Sequence, residues 1–166
     1  MRNEQFSRIC PEKFREYMSQ CGEGTKVYLG CDSERTKING VYYADYILAV
    51  VIHLNGRHGC HLMAEIHREK DIDQKAYRPF NRMMTEARMV CDLWERLKDT
   101  LLEYDYEIHL DISPFESCGS NVAYSAATGY VKAMTMQEPV VKNDAWCASF
   151  AADRARELGY AFGIVE

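Results

Sequence analysis

Asp32 closes the apolar run Lys26-Val-Tyr-Leu-Gly-Cys-Asp32, and Asp111 sits near the end of a second, Tyr106-Glu-Ile-His-Leu-Asp-Ile112. Successive side chains on a strand alternate. Val27, Leu29 and Cys31 therefore point to one face and Tyr28, Gly30 and Asp32 to the other. In the second run Ile108, Leu110 and Ile112 share a face, with His109 and Asp111 opposite. A carboxylate buried without a partner is costly, and two that lie close repel unless a cation sits between them. The pair points to a site for a hard ion held by oxygen ligands. Taken alone, Asp32 is better read as a strand end that faces water.

Further ligands can be sought on helices. Glu86 falls at one edge of the apolar stripe of a long helix and Glu95 at the other. Glu86 is nearer the helix start and is the preferred candidate, although both positions also suit solvated ion pairs. Asp144 lies one turn before Cys147 and Ala148, whose face continues through Ala151 and Ala155. It can project along that face as a ligand or cap the helix. Asp153, nine residues on, falls roughly half a turn away, toward water. Lys142 is the nearest basic residue, placed to meet a phosphate or to neutralise the acids. Ser33 and Ser113 adjoin the two strands and are candidates to touch substrate. Ser113, with Ser117 and Ser120, also suits turn and cap chemistry.

These residues need elements to position them. Residues 7–21 have the spacing of a short amphipathic helix, with Pro11 in its first turn and Gly22 and Gly24 after its end. Strands are predicted over 26–37, 41–54 and 60–67, joined by Asn39-Gly40 and Asn55-Gly56, both strong hairpin signals. The charged stretch 68–75 reads as a solvated connection. The long helix spans 79–104 on a stripe of Phe80, Met83, Met84, Ala87, Val90, Cys91, Trp94, Leu97 and Leu101. A strand over 106–112, a small-residue helix over 121–134, a strand over 137–142 and a helix over 144–158 complete the chain. The order is a meander followed by strands alternating with helices, which is a mixed α/β sheet with helices on its faces. Right-handed crossovers put the strand of Asp111 beside that of Asp32.

Composition narrows the alternatives. A chain of 166 residues is most simply one domain, residues 1–166, with 1–24 as an accessory helix, and it buries a core without disulfides. The net charge of −5 excludes bulk electrostatics as the sole grip on nucleic acid. No basic handle or aromatic platform for a duplex stands out. There is no apolar stretch long enough to span a membrane and no secretory h-region. Seven cysteines without framework spacing suit reduced thiols, and a cytoplasmic location is expected. His53, His58, Cys60, His61 and His67 crowd one hairpin, but their spacing matches no finger or knuckle, and an ordinary exposed hairpin is expected over a zinc site.

GCDS on the first strand, the meander, a Glu on the long helix, HLDISP and KNDAW together resemble the ribonuclease H-like superfamily. HLDISP, the ATGYVKAM helix and KNDAWCAS followed by AAD are most similar to the YkuK-type family of small bacterial and phage proteins, over residues 26–158. The resemblance implies a five-stranded mixed sheet with helices on both faces. It implies Asp32, Glu86, Asp111 and Asp144 as catalytic, metal-binding acids. Such enzymes use two Mg²⁺ or Mn²⁺ ions about 4 Å apart to hydrolyse phosphodiesters, here in structured or hybrid nucleic acid. The alternative is a non-catalytic module of the same fold that binds nucleic acid or protein. The oligomeric state is left open.

Overall fold

The computed structural model describes residues 8–55, 59–147, 149–150 and 153. Three long strands, β1 (Lys26–Ile38), β2 (Val41–His53) and β3 (Cys60–Lys70), form the antiparallel meander. Asn39 and Gly40, at φ 48° and 82°, turn β1 into β2 in the left-handed conformations that a two-residue hairpin needs. β4 (Asp105–Leu110) joins the far side of β1 in parallel, giving the order β3-β2-β1-β4.

Among the described residues the sheet has four strands where five were expected. Residues 137–142 make a single parallel bridge, His109 with Val140, held by Leu110 N–H to Val140 O (2.9 Å) and Val140 N–H to Ile108 O (2.8 Å). Lys142 N–H adds a bond to Ile112 O at 3.1 Å. Pro139 has no N–H to donate, and Met136 leaves the preceding helix in a left-handed conformation, φ 58°. Pairing therefore starts only after Pro139 and stops at the turn over 142–144, which leaves too little chain for a full ladder.

The sheet carries its main core on one face. There α1 (Pro11–Ser19), α2 (Phe80–Leu101) and α3 (Tyr124–Thr135) pack over Val27, Leu29, Cys31, Leu48, Val50, Ile108 and Leu110. On the other face Ala49 and Val51 pack with Cys147, at the start of the last helix, and with Tyr28 and Leu62. Most of the expected final helix and all residues after Asp153 lie outside the described residues, as does the Gly56 to His58 tip of the second hairpin; these include Tyr160 to Val165, an apolar tail that suits a further strand or a cover for the core. All seven cysteines are free thiols. Among the described residues no helix is long and apolar enough to cross a membrane.

α1 does more than accessory packing, since Phe14 and Met18 are fully buried in that core. The segment before it is tied down by Glu65 of β3, whose carboxylate accepts Ile9 N–H at 2.5 Å and pairs with Arg96 Nη2 at 2.5 Å and His67 Nε2 at 3.0 Å. Burial by itself raises the Glu65 carboxyl, but the bonds from His67, Arg96 and Ile9 outweigh it and hold the pKa below the usual carboxylate range.

The charged stretch 68–75 departs most from expectation. Arg68 to Lys70 continue β3, and Asp71 and Asp73 are buried. The reason lies at the start of α2, whose N-cap, Pro79, supplies no side-chain acceptor. Asp73 fills that role from a distance. Its Oδ1 accepts Asn81 N–H (2.8 Å) and Asn81 Nδ2 (3.0 Å), and its Oδ2 accepts Arg82 N–H (2.9 Å). Asp71 Oδ1 in turn accepts Asp73 N–H at 2.9 Å, while Arg35 Nε lies 2.7 Å from Asp71 Oδ2. Asp73→Ala is expected to destabilise the protein by about 1–2 kcal/mol, the range for losing a helix cap. Urea unfolding measures this, and an unchanged midpoint would show that the cap is dispensable.

Candidate functional site

β1 and β4 run in register from Lys26 opposite Asp105 to Cys31 opposite Leu110. Asp32 is the next residue of β1 and Asp111 the first residue after β4, so the parallel ladder ends just before the two carboxylates. β1 continues alone with β2, from Asp32 opposite Ile47 to Ile38 opposite Val41. The acids therefore stand on a ledge at the carboxyl end of the parallel pair, where open sheets commonly bind ligands.

Glu86 meets this ledge from α2. Ser33, two residues on from Cys31, shares the face that α2 covers, and its hydroxyl donates to Glu86 Oε1 at 2.5 Å. Ser33 N–H donates to Asp32 Oδ1 at 2.9 Å, which joins the two acids through one residue. Glu86 is 1% exposed, and its Oε2 has no hydrogen-bond partner. Burial raises its pKa well above the ordinary carboxylate value. The Ser33 hydroxyl partly opposes this, the nearby charges of Asp32 and Asp111 add to it, and Arg82 relieves it a little. Glu95, the alternative on the same helix, is exposed and paired with Lys98 Nζ at 2.6 Å. The structure thus brings Asp32, Glu86 and Asp111 into one electrostatic cluster and leaves Glu95 outside it.

These donors fit a hard divalent ion chemically. They are oxygen-only, they repel one another, and one buried oxygen lacks a partner. As they stand, no three His, Cys, Asp or Glu side chains among the described residues are spaced to hold a metal ion. Lys142 supplies part of the compensation, with Nζ 3.3 Å from Asp111 Oδ1.

The sequence model of the ribonuclease H-like family matches residues 10–157. The chain belongs to the ribonuclease H-like family. No curated protein and no solved structure matches it. The match reaches back over α1, which the resemblance over 26–158 omitted, in agreement with the burial of Phe14 and Met18 in the common core.

The remaining candidates of this ribonuclease H-like chain are placed differently from the central three. Asp144 is exposed in the turn before the last helix, its N–H bonded to Val141 O at 3.0 Å, and does not project along a buried helical face. Among the described residues its side chain makes no capping bond to that helix either. His109 caps it, since its Nδ1 accepts both Trp146 N–H and Cys147 N–H at 3.2 Å while its Nε2 faces Glu107 Oε2 at 2.9 Å. An acceptor at Nδ1 and a donor at Nε2 define a neutral ring, and burial lowers the pKa of His109 despite Glu107. Ser113 is buried, and its hydroxyl accepts Phe115 N–H at 3.1 Å, so it shapes the loop after β4. In the histidine-rich hairpin, His61 stacks on Tyr17 with ring centroids 4.1 Å apart, and His67 serves Glu65.

Sequence reasoning missed two groups beside the site. One is Asp71 with Arg35 and Arg82, which places two guanidinium groups around one buried carboxylate next to Glu86. The other is His109, read only as a strand residue. A visible signal existed for the first: Asp-Ile-Asp shortly before a helix whose own N-cap is proline.

Proposed function

We propose that this ribonuclease H-like protein is a divalent-metal-dependent nuclease that hydrolyses phosphodiester bonds in structured or hybrid nucleic acid. The observation that carries this reading is Glu86, a carboxylate sealed under α2 with a free oxygen and two aspartates beside it. A fold built for stability alone would replace such a group with an apolar one. Asp32, Glu86 and Asp111 would hold Mg²⁺ or Mn²⁺, which when bound supplies an activated water and stabilises the leaving oxygen. Ser33 orients Glu86 through its 2.5 Å bond, and Lys142 balances the charge of Asp111 while remaining exposed enough to meet a phosphate. Asp144, in the exposed turn just after Lys142, would join as a ligand from the rim.

The test is cleavage of labelled single strands, duplexes, hybrids and branched junctions with Mn²⁺ or Mg²⁺ and with EDTA. Cleavage is expected only with the ion, and Asp32→Asn and Asp111→Asn are each expected to lower the rate by about a hundred-fold or more. Activity that survives either substitution removes the assignment. The second reading is a non-catalytic binding module, favoured by the absence of a metal-ready triad among the described residues and by the Lys142 to Asp111 pair. Calorimetric titration with Mn²⁺ separates the two: no ion uptake, even with nucleic acid present, selects the module.

A further inference from the structure

The connection before α2 and the loop after β4 enclose an open cleft of about 410 Å³, whose lining includes Tyr77, Arg78, Glu116, Cys118, Gly119 and Asn121. Two rings stand out into solvent here, Tyr77 at 68% exposure and Phe115, just beyond the cleft lining, at 57%. Neither contributes to the core. They stand on braced walls. Gly119 packs so tightly on the Tyr77 carbonyl that a Cβ would clash with it. The loop is clamped by Ser113 N–H to Ser120 Oγ (3.0 Å) and by Asn121 Nδ2 to Ser113 O (3.1 Å). Lys75 Nζ lies 6.0 Å from the centre of the Tyr77 ring, and Arg78 adds a second cation.

The cleft belongs to the same end of the sheet as the acids. One wall begins five residues after Asp111. The other leads directly into α2, where Glu86 is six residues, about 9 Å, beyond Phe80. A protein of net charge −5 cannot grip a polyanion by charge alone. Flat, exposed, rigidly mounted rings flanked by single cations provide what charge does not, because every base offers a face to stack on. A base within a duplex has both faces covered, so the matching ligand is an unpaired one.

We propose that this cleft is a subsite for an unpaired nucleobase, stacked on Tyr77 with Phe115 at the mouth and Lys75 and Arg78 toward its phosphates. The base belongs to the strand whose phosphate lies at Asp32, Glu86 and Asp111, so the proposal rests on the nucleic-acid reading of that site. The test uses the full chain in EDTA, where cleavage is suppressed. Short DNA and RNA oligonucleotides carrying 2-aminopurine are titrated as single strands and as matched duplexes. Tighter binding of single strands with quenched 2-aminopurine fluorescence is expected. Tyr77→Ala and Phe115→Ala are each expected to weaken it about 5- to 100-fold without changing thermal unfolding, and Tyr77→Trp to restore it. Single-strand affinity unchanged in Tyr77→Ala overturns the subsite and leaves the nucleic-acid reading standing. Failure of every oligonucleotide to bind overturns both.

Discussion

Glu86→Gln is expected to unfold at a higher temperature than the native chain at pH 7 in EDTA. Burial, Asp32 and Asp111 all penalise the ionised carboxylate at this position, so the folded protein keeps the Glu86 proton to a higher pH than the unfolded chain does. From about pH 4.5, where the unfolded side chain ionises, up to the folded pKa, the folded state binds more protons. Stability attributable to Glu86 therefore falls as pH rises through that window. Glutamine has the same shape and no charge, and its amide can donate toward the two aspartates. The gain from Glu86→Gln should be small below pH 4 and grow toward neutral pH, as measured by thermal melts across a pH series.

The same substitution removes an oxygen donor. In excess Mg²⁺ or Mn²⁺ the native chain is expected to gain stability, because an ion that binds only the folded state shifts the equilibrium by mass action. The Gln variant should gain much less, so the order of the two melting temperatures narrows or reverses with the ion. If both chains respond equally to the ion, Glu86 is not a ligand. If Glu86→Gln is destabilised in EDTA, the carboxylate contributes to the fold and is not a cost carried for function.

Gly119→Ala is expected to destabilise the protein by about 1–3 kcal/mol, although the substitution adds one methyl group at a surface loop. The methyl would meet the carbonyl of Tyr77, which is backbone and cannot rotate away. The loop after β4 and the connection before α2 must then separate, and the clamp of Ser113, Ser120 and Asn121 limits how far the loop can give. Gly129 provides the contrast within the same chain. It lies inside α3, where an added Cβ meets nothing within 4 Å. Gly129→Ala should therefore stabilise by about 0.5–1 kcal/mol through helix propensity alone. Urea midpoints of opposite sign for the two substitutions support the close packing of the two loops, and equal signs contradict it.

How far the sequence could be read depended on the range of the interaction. Alternation and turn chemistry are local, so the meander, the Asn39-Gly40 hairpin and the strand carrying Asp111 were legible. The parallel pairing of β1 with β4 followed from the handedness of crossovers. Glu86 was legible as the edge of an apolar stripe, though choosing it over Glu95 needed only a slight bias from helical position. The short bridge at Val140 was misread because an apolar segment before Lys142 has strand composition, while Pro139 and the turn over 142–144 decide how much of it can pair.

The buried carboxylates of the connection were illegible for a different reason. A run of charges reads as solvated unless its partners are known, and the partners of Asp71 and Asp73 are Arg35 on β1 and the first turn of α2. His109 presented the same problem, since the N–H groups that donate to its Nδ1 come from a helix start 37 and 38 residues away. Residue types and their periods by themselves determined the strands, the long helix and the placing of two aspartates at neighbouring strand ends. Only the tertiary structure decided that Glu86 is sealed beside them with an unpartnered oxygen, that Ser33 holds it, and that Asp144 stands in an exposed turn. Those facts depend on desolvation and on contacts between distant segments, which no local pattern encodes.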